Sequence, residues 1–93
     1  MIREFADSET ETLWHRQRPK SLPSNLHRRA LRKLMLLDAA DSLQDLRVPP
    51  GNRLEKLAGD RKAQHSIRIN EQFRICFTWH EGDAYEVEIT DYH

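Results

Sequence analysis

Phe73-Arg74-Ile75-Cys76-Phe77-Thr78-Trp79-His80-Glu81-Gly82-Asp83-Ala84-Tyr85-Glu86-Val87-Glu88-Ile89-Thr90 is the stretch that decides the fold. In its first half Phe73, Ile75, Phe77 and Trp79 alternate with Arg74, Cys76 and Thr78. In its second half Tyr85, Val87 and Ile89 alternate with Glu86, Glu88 and Thr90. A period of two marks a strand with one buried face. Glu81-Gly82-Asp83 between them supplies the glycine of a hairpin loop. Upstream, Ile67 and Ile69 flank Arg68 in the same rhythm, with Asn70-Glu71 as a weaker turn signal. The odd-numbered residues are expected to face a core. Arg68, Arg74, Cys76, Thr78, Glu86, Glu88 and, by continued register, Tyr92 are expected on an open face.

Further back, the spacing changes. Leu26, Ala30, Leu34 and Leu37 recur at four, four and three residues, which places them on one stripe of a helix. Pro23 suits its first turn, where a missing N–H costs nothing. Arg28 and Arg32 fall on the opposite side, while Met35 and Leu36 lie outside the stripe and need a second layer or a partner. Ser8-Glu9-Thr10-Glu11 reads as a capping box opening a shorter helix, about Glu9 to Arg16, that Pro19 ends. Ile2 to Phe5 fits a strand, and Leu54 to Leu57 a brief one. Val48-Pro49-Pro50-Gly51-Asn52 and Gly59-Asp60 break regular structure. A strand, two helices and then three or four strands predict an α+β class, with two N-terminal helices on one face of a small, mostly antiparallel sheet of four to five strands.

The 93 residues suit a single domain, 1–93, too small for a deep substrate cavity. No apolar run approaches the about 20 residues of a membrane span. Met1 to Phe5 lacks a signal peptide's apolar run, and one cysteine makes no internal disulfide, so a cytoplasmic location is expected. Fifteen basic residues balance fifteen acidic ones, yet the charge is segregated. Trp14 to Leu37 holds Arg16, Arg18, Lys20, Arg28, Arg29, Arg32 and Lys33 with no acid, whereas Glu81 to His93 holds five acids and no Lys or Arg. A local polyanion partner fits this asymmetry; so does a solvated helix with no partner.

Arginines on an open sheet face can bind phosphate bidentately, and an exposed tyrosine can stack on a base. The same residues could equally form a cross-strand Arg–Glu ladder without further role. The five histidines have no metal-ligand spacing, and Cys76 sits mid-strand as a packing residue. Glycine-rich nucleotide loops are absent. No metal or other cofactor is therefore expected. Asp91-Tyr92-His93 groups three side chains that can transfer or orient a proton.

Met1-Ile2-Arg3-Glu4-Phe5, Leu36-Leu37-Asp38-Ala39-Ala40, Pro49-Pro50-Gly51-Asn52-Arg53-Leu54, Leu57-Ala58-Gly59-Asp60-Arg61, His65-Ser66-Ile67-Arg68-Ile69-Asn70, Phe73-Arg74-Ile75-Cys76-Phe77 and Ile89-Thr90-Asp91-Tyr92-His93, in this order, resemble the HigB toxins of the RelE/ParE superfamily. The resemblance covers essentially the whole chain. It implies a RelE-like fold and an mRNA interferase that cuts mRNA in the ribosomal A site without metal. It also implies a HigA-type helix-turn-helix antitoxin as partner.

Such cleavage must deprotonate a 2′-hydroxyl, stabilise a phosphorane and protonate a 5′-oxygen. The resemblance implies His93 as acid or base, Tyr92 as an orienting or stacking group and Asp91 as an orienting group or proton acceptor. Arg74 and Arg68 suit the charge role, and Arg53 and Arg61 are further candidates for RNA phosphate. Arg28, Arg29, Arg32 and Lys33 are candidates for ribosomal RNA. Related toxins carry a histidine where this chain has Glu55; a free glutamate titrates at about 4.3, so it suits a base better than an acid, and a weak activity is implied. Two other readings remain at this point: a ParE-like inhibitor of DNA gyrase, and a plain interaction domain.

Overall fold

The computed structural model describes residues 1–61 and 63–92. Helix α1 (Ser8–Trp14) and helix α2 (His27–Ala39) precede four strands: β1 (Glu55–Lys56), β2 (His65–Arg68), β3 (Phe73–His80) and β4 (Asp83–Asp91). The strands form an antiparallel meander in the order β1-β2-β3-β4. The N-terminal segment joins the outer edge of β4 in parallel, through bridges of Ile2 to Ala84 and Phe5 to Val87. Among the described residues no helix is long and apolar enough to cross a membrane.

Both helices pack on one face of the sheet, as the α+β reading requires. The α2 stripe is buried along its length: Leu26, Ala30, Leu34 and Leu37 join Leu13, Ile75, Phe77, Val87 and Ile89 in one core. Met35, outside the stripe, remains 50% exposed. The helix start differs from expectation. Asp7 caps α1, its carboxylate accepting from the Thr10 amide, and Ser8 is already helical. Capping one residue earlier leaves Thr10 buried in the first turn, where its hydroxyl accepts from the Ile89 amide at 3.0 Å and ties helix to sheet. The end of α1 differs too. Arg16 turns left-handed (φ 63°), so that the amides of Arg16 and Gln17 reach back to the carbonyls of Leu13 and Thr12. This Schellman closure stops the helix before Pro19 does.

The hairpin forms at Glu81-Gly82, both with positive φ, the geometry that matches strand twist. The alternation in β4 is interrupted. Cys76 pairs with Glu88 but Thr78 pairs with Tyr85, so β4 carries one extra residue, with Glu86 left-handed at φ 51°. This bulge reverses the facing of the residues before it. Ala84, not Tyr85, enters the core, and Tyr85 lies on the Thr78 side.

The expectation of an open second face is corrected as well. Ser66 and Cys76 are fully buried and Arg74 is only 8% exposed. Alternation assigns these side chains to the correct face, but that face is partly covered. The connecting segments that precede β1 and β2 fold back against it, placing the Arg53 carbonyl on Arg74 and the Arg61 side chain on Glu88.

Candidate active site

Strand register builds the site in two rows. Arg68, Arg74 and Thr90 are successive cross-strand partners on β2, β3 and β4. Beside them run Glu55, Ser66, Cys76 and Glu88, from β1 to β4. Arg74 stands at the centre. Its Nε donates to Ser66 Oγ at 2.7 Å, and Nη2 donates to the Arg53 carbonyl at 2.6 Å and the Ser66 carbonyl at 3.4 Å. Nη1 approaches Glu55 Oε1 at 3.7 Å, an ion pair too long for a hydrogen bond. The Tyr92 ring, 40% exposed, lies just beyond β4 with its centroid 6.0 Å from the Arg74 guanidinium carbon.

These contacts correct the reading of Arg74 as a solvated phosphate ligand. Nε and Nη2 are committed to the protein. Nη1, beside the exposed Glu55 carboxylate and the Tyr92 ring, is the edge left to meet a substrate oxygen. Sequence alone also missed Ser66. Its even number placed it on the same face as Arg68 and Arg74, and that was the available signal.

The loop before β1 supplies the other anchor. Asn52 is fully buried; its Nδ2 donates to the carbonyls of Leu46 and Val48, and its Oδ1 accepts from Lys33 Nζ. Arg53 follows in a left-handed conformation (φ 45°, ψ 58°), and its carbonyl is the one on Arg74. The Pro-Pro-Gly-Asn-Arg segment is thus a shaped support rather than a plain breaker.

Arg61, on the turn Gly59–Arg61, pairs with Glu88 Oε1 at 2.6 Å and donates to Gln64 Oε1 at 2.9 Å. The hydrogen bond that Arg61 donates to the Glu88 carboxylate raises the Arg61 pKa above its ordinary value. Asp91 points to the other side of the sheet: it pairs with core-facing Phe73, and its carboxylate accepts from Gln72 Nε2 at 3.0 Å. The structure therefore brings Glu55, Arg74 and Tyr92 together and leaves Asp91 on the opposite face. His93 lies outside the described residues.

Arg28, Arg29 and Arg32 are exposed on α2, as expected. Lys33 is not on that solvated side. It is half-buried against Asn52, and burial, with Arg29 and Arg32 nearby, lowers its pKa. One groove collects Arg29 and Lys33 from α2, Arg53 from the loop and Arg68 from β2, with Gly51, Ile69, Asn70 and Glu71 completing its lining. Residues read separately as ribosome contacts and RNA contacts thus share one basic trough. It adjoins the site, because Arg68 is the cross-strand partner of Arg74.

Among the described residues no cluster of His, Cys, Asp and Glu could hold a metal ion. Glu55, Arg74 and Tyr92 can accept a proton, stabilise an anion and stack on a base. A family of RelE-like toxins, the HigB toxins of type II toxin–antitoxin systems, matches residues 3–93. Toxin HigB-1 of Vibrio cholerae is 44% identical over 85 residues, 90% of each chain. Endoribonuclease HigB of Proteus vulgaris is 29% identical over 93 residues, the full length of both. With its sheet, its helices and nearly its whole sequence matched, the chain belongs to the HigB-like toxins of type II toxin–antitoxin systems.

Proposed function

We propose that this toxin is a metal-independent endoribonuclease that cuts mRNA in the ribosomal A site and so stops translation and growth in the cytoplasm. Its relative in Proteus vulgaris is named an endoribonuclease. The observation that carries the reading is the convergence of Glu55, Arg74 and Tyr92 on one sheet face beside a basic trough.

The 2′-oxygen of the nucleotide before the cut attacks phosphorus, the bond from phosphorus to the 5′-oxygen breaks, and a 2′,3′-cyclic phosphate and a 5′-hydroxyl result. Glu55, with its carboxylate exposed beside Arg74, is assigned removal of the 2′-proton. Arg74 Nη1 stabilises the charge that builds on the phosphorane. Tyr92 holds a base by stacking. His93 is assigned the proton that the 5′-oxygen takes up. The trough of Arg29, Arg53 and Arg68 holds the flanking phosphates, and Arg28 and Arg32 extend the basic surface toward ribosomal RNA. As a type II toxin the chain pairs with an antitoxin; a HigA-type helix-turn-helix protein is the proposed one.

The test is a translating ribosome programmed with an mRNA whose A-site codon carries a single 2′-O-methyl group at the scissile nucleotide. Cleavage is expected on the unmodified message and lost on the methylated one. Equal cutting of both would exclude 2′-oxygen attack.

A further inference from the structure

We propose that Lys33 and Asn52 are positioning residues for Arg74, acting through the Arg53 carbonyl rather than by binding RNA. The inference deepens the nuclease reading and rests on it for its catalytic consequence. Lys33 sits in the basic run of α2, and its charge invites assignment to a nucleic acid surface. Its ammonium instead meets Asn52 Oδ1 at 2.5 Å. Asn52 uses the rest of its amide on the carbonyls of Leu46 and Val48, at 3.2 and 3.3 Å. Its backbone amide donates to the Pro49 carbonyl at 2.9 Å. All four contacts fix the turn Pro50–Asn52 to α2 and to the segment before it.

The next residue is Arg53, whose left-handed backbone turns its carbonyl onto Arg74 Nη2 at 2.6 Å. A non-glycine residue holds that conformation only where its surroundings enforce it. Asn52 is the adjacent, fully buried anchor. Three directly bonded steps therefore connect the α2 ammonium to the central guanidinium. A loosened turn would release Nη2, loosen the whole guanidinium including its Nε bond to Ser66, and displace Nη1.

Lys33→Met keeps the aliphatic stem and removes the donor, leaving Asn52 Oδ1 without its partner. On ribosome-bound mRNA, kcat is expected to fall about tenfold while KM stays within about twofold. Lys33→Arg, which can still donate to Asn52, is expected to recover most of that loss. Arg29→Gln, one turn away on the trough, is expected to act on KM and on its salt dependence. A second readout needs no activity: hydrogen exchange of the Arg74 Nε–H by nitrogen-15 NMR is expected to quicken at least about fivefold in Lys33→Met and to return toward parental in Lys33→Arg.

Parental kcat with raised KM in Lys33→Met, or unchanged Nε–H exchange, overturns the proposal and returns Lys33 to the RNA surface. Should Lys33→Met fail to fold, Asn52→Asp keeps the lysine's partner, drops both amide donors, and is read by the same exchange measurement. If the parental chain cuts no ribosome-bound mRNA while exchange responds as described, the nuclease reading fails and the positioning inference stands.

Discussion

Replacing Arg74 with alanine is expected to damage the fold as well as the activity, and the size of the damage follows from its contacts. Two short hydrogen bonds are lost, to Ser66 Oγ at 2.7 Å and to the Arg53 carbonyl at 2.6 Å. Each comes from a charged, largely buried group, and such bonds contribute about 1.5 kcal/mol at the low end of their range. The Ser66 carbonyl bond at 3.4 Å is long, and the Glu55 carboxylate is 56% exposed, so both add little. The sum is about 3 kcal/mol, or a fall in Tm of about 12–24 °C for a domain of this size. Urea unfolding followed by circular dichroism measures it. Glu55→Gln in the same assay is expected to move stability by less than about 0.5 kcal/mol, because the pair is long and its carboxylate is mostly exposed. Arg74→Ala unfolding at the parental midpoint would refute the buried-anchor account and restore the reading of a free surface arginine.

Tyr92→Ala is expected to lower cleavage strongly while Tyr92→Phe retains most of it, since stacking needs the ring; both are expected to melt within about 1 kcal/mol of the parent. Arg28, Arg29 and Arg32 changed together to Glu are expected to weaken cosedimentation with ribosomes, most visibly at low salt. His93→Gln is expected to slow cleavage by about a hundredfold, as loss of a general acid does, with parental ribosome binding as the control. Burial, with Lys56 nearby, lowers the His65 pKa, and its Nδ1 has no hydrogen-bond partner among the described residues. The unfolded ring gains a proton near about pH 6.5 and the folded ring only below that, so stability is expected to fall as pH drops from that value toward the folded pKa. His65→Phe is expected to shrink the difference between urea midpoints at pH 7.5 and 5.5; an unchanged difference would assign that loss to other groups.

Patterns that repeat were legible in the sequence. The Leu26, Ala30, Leu34, Leu37 stripe and the alternation of Phe73, Ile75 and Phe77 each report a periodic backbone, and each is buried as read. The site's face was legible for the same reason, since parity put Arg68, Arg74 and Tyr92 together. What covers a face has no period. The burial of Arg74 depends on a loop whose proline and glycine announce a turn but not where its carbonyls point. Glu86 gave no warning of a bulge, because no glycine marks its left-handed backbone. Lys33 looked like its basic neighbours; only the position of Asn52, nineteen residues away, distinguishes it. Asp91 stands next to Tyr92 in sequence and on the opposite side of the sheet in space.

The central claim, that this toxin cuts mRNA only as the ribosome presents it, is tested most directly by primer extension. A defined message is incubated with the purified toxin, with and without translating ribosomes. The account predicts discrete cuts in register with the reading frame that require ribosomes and fall strongly in Tyr92→Ala, which keeps the parental fold. Equal cutting of naked RNA, or intact message alongside blocked DNA supercoiling by gyrase, would contradict it.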